Sequence, residues 1–334
     1  MSAIKTNVMF DMRAPGFGAP TPELYAAALD MSAFADEIGV DSIFLMEHHA
    51  SDDGYLPSPL VLGGGVAACT KTCRIRIGAV ILPLHDPVEL AEQIAVLDLM
   101  SNGRLEVVFG AGYVPSEFAM FKVSLRDRAK LLDQGIDIVL RALRGDRFEA
   151  DSRPIFVRPL PVQPPEEIIL VGGGVEASAK RAARFDVGFA PMVPGLLPAY
   201  DAACRALGRE PRGKWEPSAS LPLSIHLAED PDEAWEHLKP HAVHIVSEYA
   251  KWAAQEPDSN SPYKGLHDFE AIRASGLFAV WTPEELLARA SSLEADARLG
   301  FMPLLGGLAP EIGWKSLELL KKVMPKLKAG PRAQ

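Results

Sequence analysis

Three groups of residues in this 334-residue chain have the types and spacing that chemistry requires. The first is Glu47-His48-His49, three titratable side chains directly after the apolar run Ile43 to Met46. An imidazole titrates near neutrality and so can move protons there, and a neighbouring carboxylate can orient it. Adjacent residues leaving a strand point to opposite sides, so at least one of the histidines must face a site at that strand's carboxyl end. The second group is Gly172-Gly173-Gly174-Val175-Glu176, in which three glycines feed a helix start. Backbone N–H groups unshielded by side chains and backed by the helix dipole form a phosphate cradle, whereas a plain tight turn would need only one glycine. The third is the set of small residues at the end of the fourth expected strand, Gly110-Ala111-Gly112-Tyr113. They allow a flat ring to approach the backbone beside an aromatic side chain.

The remaining candidates carry less. His85, before an N-cap aspartate, reads equally as loop surface or site, and His226 in LSIHLAED reads as a satisfied buried histidine. His237, His241 and His244 share a helix face in principle, but Pro240 interrupts it and no carboxylate or thiol completes a shell, so no metal is expected. Gly63-Gly64-Gly65 follows no strand and reads as close helix packing. Cys69, Cys73 and Cys204 have no metal-site spacing, and Cys69 and Cys73, four apart around a helix end, read as inert thiols of a cytoplasmic protein. The sequence has no G-x-S-x-G elbow, no phosphate loop ending in GK[ST] and no dinucleotide fingerprint after the first strand, so hydrolase and kinase readings lose their usual support.

These groups need elements to hold them. Short β-branched runs alternate with longer amphipathic stretches, the pattern of repeated βα units. Strands are expected at 7–12, 41–46, 75–82, 105–110, 168–171, 187–191, 221–227 and 301–305. Helices are expected over 22–38, 59–70, 87–100, 125–143, 176–185, 197–207 and 310–324. Eight strands, each followed by helical sequence, predict an α/β fold: a (β/α)8 TIM barrel, one domain over residues 1–334, with site residues at the strands' carboxyl ends. A mostly helical insertion at 230–283, between strands seven and eight, reads as a lid.

Composition bounds the partners. With 34 Lys+Arg against 44 Asp+Glu the formal charge is −10, which argues against nucleic acid or an anionic membrane surface. An anionic phosphate would then have to be held by local backbone donors rather than drawn by the overall field. No apolar stretch reaches the roughly 18 residues of a membrane span, and the N-terminus lacks a signal-peptide pattern.

At this point the sequence resembles the luciferase-like monooxygenases, the flavin- or deazaflavin-dependent barrel oxidoreductases typified by bacterial luciferase. The matching segments are GVDSIFLMEHH (39–49), the stretch from Thr70 to Tyr113, Arg128 to Gly135, ILVGGGVEASAKRAARFDVGFAP (169–191) and the ending from Pro310 to Leu327. The run from Pro83 to Gly112, with HDPVELAEQ and SNGRLEVVFGAG, is the most specific. The resemblance implies a flavin whose phosphate is held by the backbone N–H groups of Gly173, Gly174 and Val175 after Gly172. Its ring would lie near Gly78, Ala79 and Ala111, with Gly112 and Tyr113 beside it, and a non-prolyl cis peptide is implied at Gly78–Ala79 or Ala79–Val80. His48 matches the family's general base, Glu47 and His49 would orient it or line the pocket, and Phe10, His244 and Tyr249 become substrate-side candidates. The implied reaction uses reduced FMN from a separate flavin reductase, and dioxygen, to oxidise a small aldehyde or ketone through a flavin hydroperoxide. A deazaflavin-dependent dehydrogenase or reductase and a non-catalytic flavin-binding protein are the alternatives. The family also implies a homodimer built on helices two and three. Where luciferase has a reactive cysteine, this chain has Ala111 or Gly112, so luminescence is not implied.

Overall fold

The structure, a computed structural model, describes residues 4–215, 221–255, 263–266, 268–294 and 297–329. The chain divides into two compact units, Met1–Phe44, Ser51–Pro57 and Ser220–Gln334 in one, Leu45–Ala50 and Ser58–Ala219 in the other.

In the first unit the strands run in the order Phe278–Trp281, Ser224–Leu227, Arg298–Phe301, Lys5–Phe10, Ser42–Leu45, and the first three junctions are parallel. In the second the order is Arg74–Ile81, Leu105–Gly110, Ile169–Gly173, Gly188–Pro191, all parallel. These strands are mostly apolar and largely buried, as parallel strands covered on both faces must be, with polar residues such as Thr6, Asn7, Arg76 and Glu106 among them. Along the chain, the eight strands expected from the sequence are each followed by a helix, in (β/α)8 order, and a ninth strand, Phe278–Trp281, with its own helix is added between the last two. The helix Glu176–Phe185 has the predicted bounds, and the final strand lies at Arg298–Phe301, a few residues before the predicted one.

Three departures are local. The 230–283 insertion is not all helix: after Pro231–Gln255 and Phe269–Ser275 it carries the strand Phe278–Trp281, which pairs in parallel with Ser224–Leu227. Its residues 256–262 and 267 lie outside the described residues, as do 330–334 of the tail. Residues 145–165 contain a two-strand hairpin, Phe148–Ala150 with Arg153–Ile155, and a short helix Pro115–Met120 occupies a predicted loop.

The SNGR segment shows why its residue types are needed. Asn102 and Gly103 take the left-handed conformation that ends the helix Pro87–Ser101. Arg104 then spends its guanidinium on the carbonyls of Ser101, Cys73, Ala67 and Thr70 and on the Thr70 hydroxyl. One side chain thus satisfies orphan carbonyls at the ends of two helices. Gly63 lets those helices close up, since a Cβ there would meet Leu97 at 3.1 Å and Ile77 at 3.4 Å.

His226 sits in the strand Ser224–Leu227, buried as expected but not satisfied, because among the described residues its Nδ1 has no hydrogen-bond partner. Burial lowers its pKa from 6.5 to about 4. A base whose folded pKa is depressed leaves stability intact above its unfolded pKa and removes it as pH falls towards the folded one. Between pH 6.5 and 4 this group should therefore cost up to about 3 kcal/mol, at about 1.4 kcal/mol per pH unit. The urea midpoint of His226→Leu is expected to fall less than that of the wild type between pH 7 and pH 4; equal declines would contradict the assignment.

Candidate active site

The second unit gathers the residues singled out at the strand ends. Glu47, His48 and His49 leave the strand Ser42–Leu45, and all three are buried. His48 Nδ1 lies 2.8 Å from Oε1 of Glu117, a carboxylate with no solvent exposure. That oxygen also accepts the backbone N–H of His49 at 2.8 Å. An oxygen already accepting from an amide is an acceptor towards the imidazole too, so His48 carries its proton on Nδ1 and Nε2 becomes the basic nitrogen. The His48 ring meets Tyr113 edge-on, with centroids 5.9 Å apart.

Glu47 belongs to a separate set. Its Oε2 accepts the Ile81 N–H at 2.8 Å, while Oε1 accepts from His49 Nε2 at 2.8 Å and from His85 Nε2 at 2.7 Å. Burial alone would raise the carboxyl pKa, but the hydrogen bonds and positive potential of the two imidazoles outweigh it and hold the group at about 2. Glu47 and His49 therefore orient one another rather than His48. The group that orients His48 is Glu117, on the short helix Pro115–Met120 that the sequence pattern had left as loop. Its one signal was a lone carboxylate in the run PSEFAM, beside one serine and otherwise apolar residues.

The glycines divide by cause. The peptide Gly78–Ala79 is cis, as the resemblance implied, and the ladder with Leu105–Gly110 skips Ala79. Gly110 and Gly112 are required by packing inside the unit: a Cβ would come within 2.9 Å of Ala79 at the first, and 2.6 Å of Ile81 at the second. Ala111, between them, is half-buried. In the triplet, Gly172 packs against Val108 and Gly173 takes a φ of +148° with Ser178 Oγ where a Cβ would stand. Gly174 has no such reason, because nothing lies within 4 Å of a Cβ built there. Val175 caps the helix Glu176–Phe185 without any side-chain hydrogen bond, so the capping residue's side chain does not claim the first-turn donors. Open space beside uncapped amides fits an anion supplied from outside the chain.

The predicted substrate-side residues all lie in the first unit. Phe10 is fully buried in its strand. His244 Nε2 is 2.8 Å from Asp53 Oδ2, and the Tyr249 hydroxyl is 3.1 Å from that of Tyr55. Between them the Arg13 guanidinium, wholly buried, forms ion pairs with Asp53 and Asp11 under the rings of Tyr55, Tyr249 and Trp252. Burial raises Asp11 to about 6 despite Arg13, and the sequence offered no signal for this cluster beyond its residue types.

The family profile described as luciferase-like monooxygenase matches residues 8–297, and the chain belongs to that family of oxidoreductases. The chain is 25% identical over 345 aligned residues to 4-hydroxyprotoasukamycin monooxygenase of Streptomyces nodosus subsp. asukaensis, covering 86% of this chain and 89% of that protein. It spans less than half of some curated relatives: an uncharacterized protein, y4vJ of Sinorhizobium fredii, is 27% identical over 144 residues, 43% of this chain and 41% of that one. Among solved structures, monooxygenase RslO1 from Streptomyces bottropensis shares the fold with a TM-score of 0.79 at 24% identity, covering 97% and 99% of the two chains. The oxygenating constituent of 3,6-diketocamphane monooxygenase from Pseudomonas putida, solved with FMN, gives 0.67 at 18% identity over 99% of both. An F420-dependent secondary alcohol dehydrogenase gives 0.69 at 17%, over 98% and 99%. Among the described residues no helix is long and apolar enough to cross a membrane.

If the triplet serves an external phosphate, Gly174→Glu should weaken binding of FMN by at least about tenfold while the urea midpoint stays near that of the wild type, because the added side chain enters open space. Unchanged FMN affinity in this variant would remove the cradle assignment.

Proposed function

We propose that this protein is a flavin-dependent monooxygenase that uses reduced FMN and dioxygen to oxidise a small organic carbonyl compound, an aldehyde or a ketone. The observation that carries the reading is the buried Glu117–His48 pair at the end of the strand Ser42–Leu45, in the same unit as the uncapped glycine cradle. Reduced FMN, when bound, supplies the electrons that activate dioxygen. Gly174 and Val175 would hold its phosphate by backbone N–H groups. The cis Gly78–Ala79 segment, Ala111 and Tyr113 would flank the ring.

The chain's own part is then proton management and exclusion of water. Glu117 fixes the tautomer of His48, so Nε2 accepts a proton during the reaction and returns it afterwards. The imidazolium formed in between is met by the Glu117 carboxylate, whose charge is undiluted by solvent because the side chain is fully buried. Glu47 and His49 serve as a rigid second pair that holds the strand exit against Ile81. A separate reductase would supply the reduced flavin. Similarity to the F420-dependent dehydrogenase supports one other reading, a deazaflavin enzyme that needs no dioxygen.

A homodimer is part of the proposal. The helices Pro59–Cys69 and Pro87–Ser101 present Val61, Val96, Leu99 and Met100 to solvent, an apolar set that a second copy would cover. Leu99→Glu is expected to convert a dimer into a monomer in light scattering; an unchanged mass would place any interface elsewhere.

Three variants test the site. His48→Ala should lower kcat by about 100-fold or more with flavin affinity unchanged. Glu117→Gln should lower kcat by about tenfold or more with little change in KM, and Glu117→Asp should recover part of it. A loss confined to flavin binding in all three would make the pair structural. Parallel titration with FMN and the deazaflavin separates the two cofactor readings, and binding of neither would remove both.

A further inference from the structure

Glu47, His49 and His85 hold one ligand atom each within 4.8 Å of one another, a convergence that proton management by His48 does not use. We propose that these three side chains form a binding site for a divalent transition-metal ion of the zinc class, distinct from the flavin cradle.

The three donors are already fixed. Glu47 is anchored through Oε2 to the Ile81 N–H, which turns Oε1 towards both imidazoles. His49 is held by its backbone N–H on Glu117 and by an edge-on contact with Phe121, centroids 4.7 Å apart. His85 is tied by its own N–H to the Leu82 carbonyl at the end of the turn that follows the strand Arg74–Ile81. Such outer contacts are what orient metal ligands before the ion arrives.

The chemistry of the set selects the ion. Two imidazole nitrogens and one carboxylate oxygen suit zinc and its first-row neighbours, and three protein ligands leave a fourth position open for water. Calcium or magnesium would demand an oxygen shell that the cluster lacks. Glu47 is fully buried, and among the described residues its ion-pair partners are the two histidines alone, with no lysine or arginine. A divalent ion replacing the two Nε2 protons would compensate that buried carboxylate directly. The nitrogens sit 2.7 and 2.8 Å from Oε1, so they must spread by about half an ångström to surround an ion with bonds of about 2.0–2.2 Å. His85 can do this: it is the least buried of the three, its side chain 23% exposed, and it gives the ion a way in. The histidines spaced along the helix Pro231–Gln255 do not compete, since His241 Nδ1 lies on the Gly306 carbonyl and His244 Nε2 on Asp53.

The experiment is calorimetric titration of the purified, chelator-treated full chain with Zn2+ alone, repeated with Co2+ to read the visible bands of a low-coordinate site. The wild type should take up one equivalent with a micromolar or tighter Kd. His85→Gln, at the most exposed position and least able to disturb folding, should weaken it by at least tenfold, and Glu47→Gln likewise. His237→Gln, an exposed control outside the cluster, should leave it unchanged. Absence of Zn2+ binding at submillimolar concentration, or binding equally tight in His85→Gln, overturns the proposal. Because the probe is the ion without flavin or substrate, this result is independent of the proposed oxygenase activity.

Discussion

A carboxylate removed from water must be met by donors, and at the exit of the strand Ser42–Leu45 this requirement organises everything around it. Glu117 has no exposure and meets two donors through one oxygen, the His48 ring and the His49 amide. Glu47 meets three: Ile81 N–H, His49 and His85. Losing one donor from such a set leaves a buried charge short of partners, which costs more than the hydrogen bond contributes. The two carboxylates therefore fix the directions of three imidazoles, and the backbone that bears them is fixed in turn. Local rigidity and proton chemistry have the same source here.

Backbone geometry does corresponding work at the cradle. Gly172 and Gly173 are glycine because neighbouring atoms and a left-handed φ exclude any side chain. Gly174 is glycine beside empty space, next to a helix start that no side chain caps. In a chain of net charge −10, donors of this kind are the available means of holding an anion without a lysine or arginine.

Much of this was legible in the residues themselves. The alternation of β-branched runs and amphipathic stretches gave eight strand–helix units, because parallel strands buried on both faces are apolar throughout and helices are not. SNGR stood out only as part of the family-specific run, and its arginine proved to cap two helix ends. What pattern could not show is which polar group meets which. His85 read equally as loop surface or site, yet it reaches Glu47 across 38 positions of sequence, and Glu117 reaches His48 across 69. Pairings at such separations are set by the strand order and leave no local periodicity. The strand Phe278–Trp281 was hidden for a similar reason, since four residues between helices are too short for a period to declare itself. The Arg13 cluster, made of aromatic and acidic residues spread from Asp11 to Trp252, was equally silent.

The central claim is that backbone donors at the glycine triplet hold a flavin phosphate, and it is tested most directly by anaerobic equilibrium titration of the purified chain with reduced FMN and with reduced riboflavin. The two differ only in the phosphate. The account predicts that FMN binds at least about 100-fold more tightly, the scale of several charge-assisted hydrogen bonds. Equal affinity for the two flavins would contradict it.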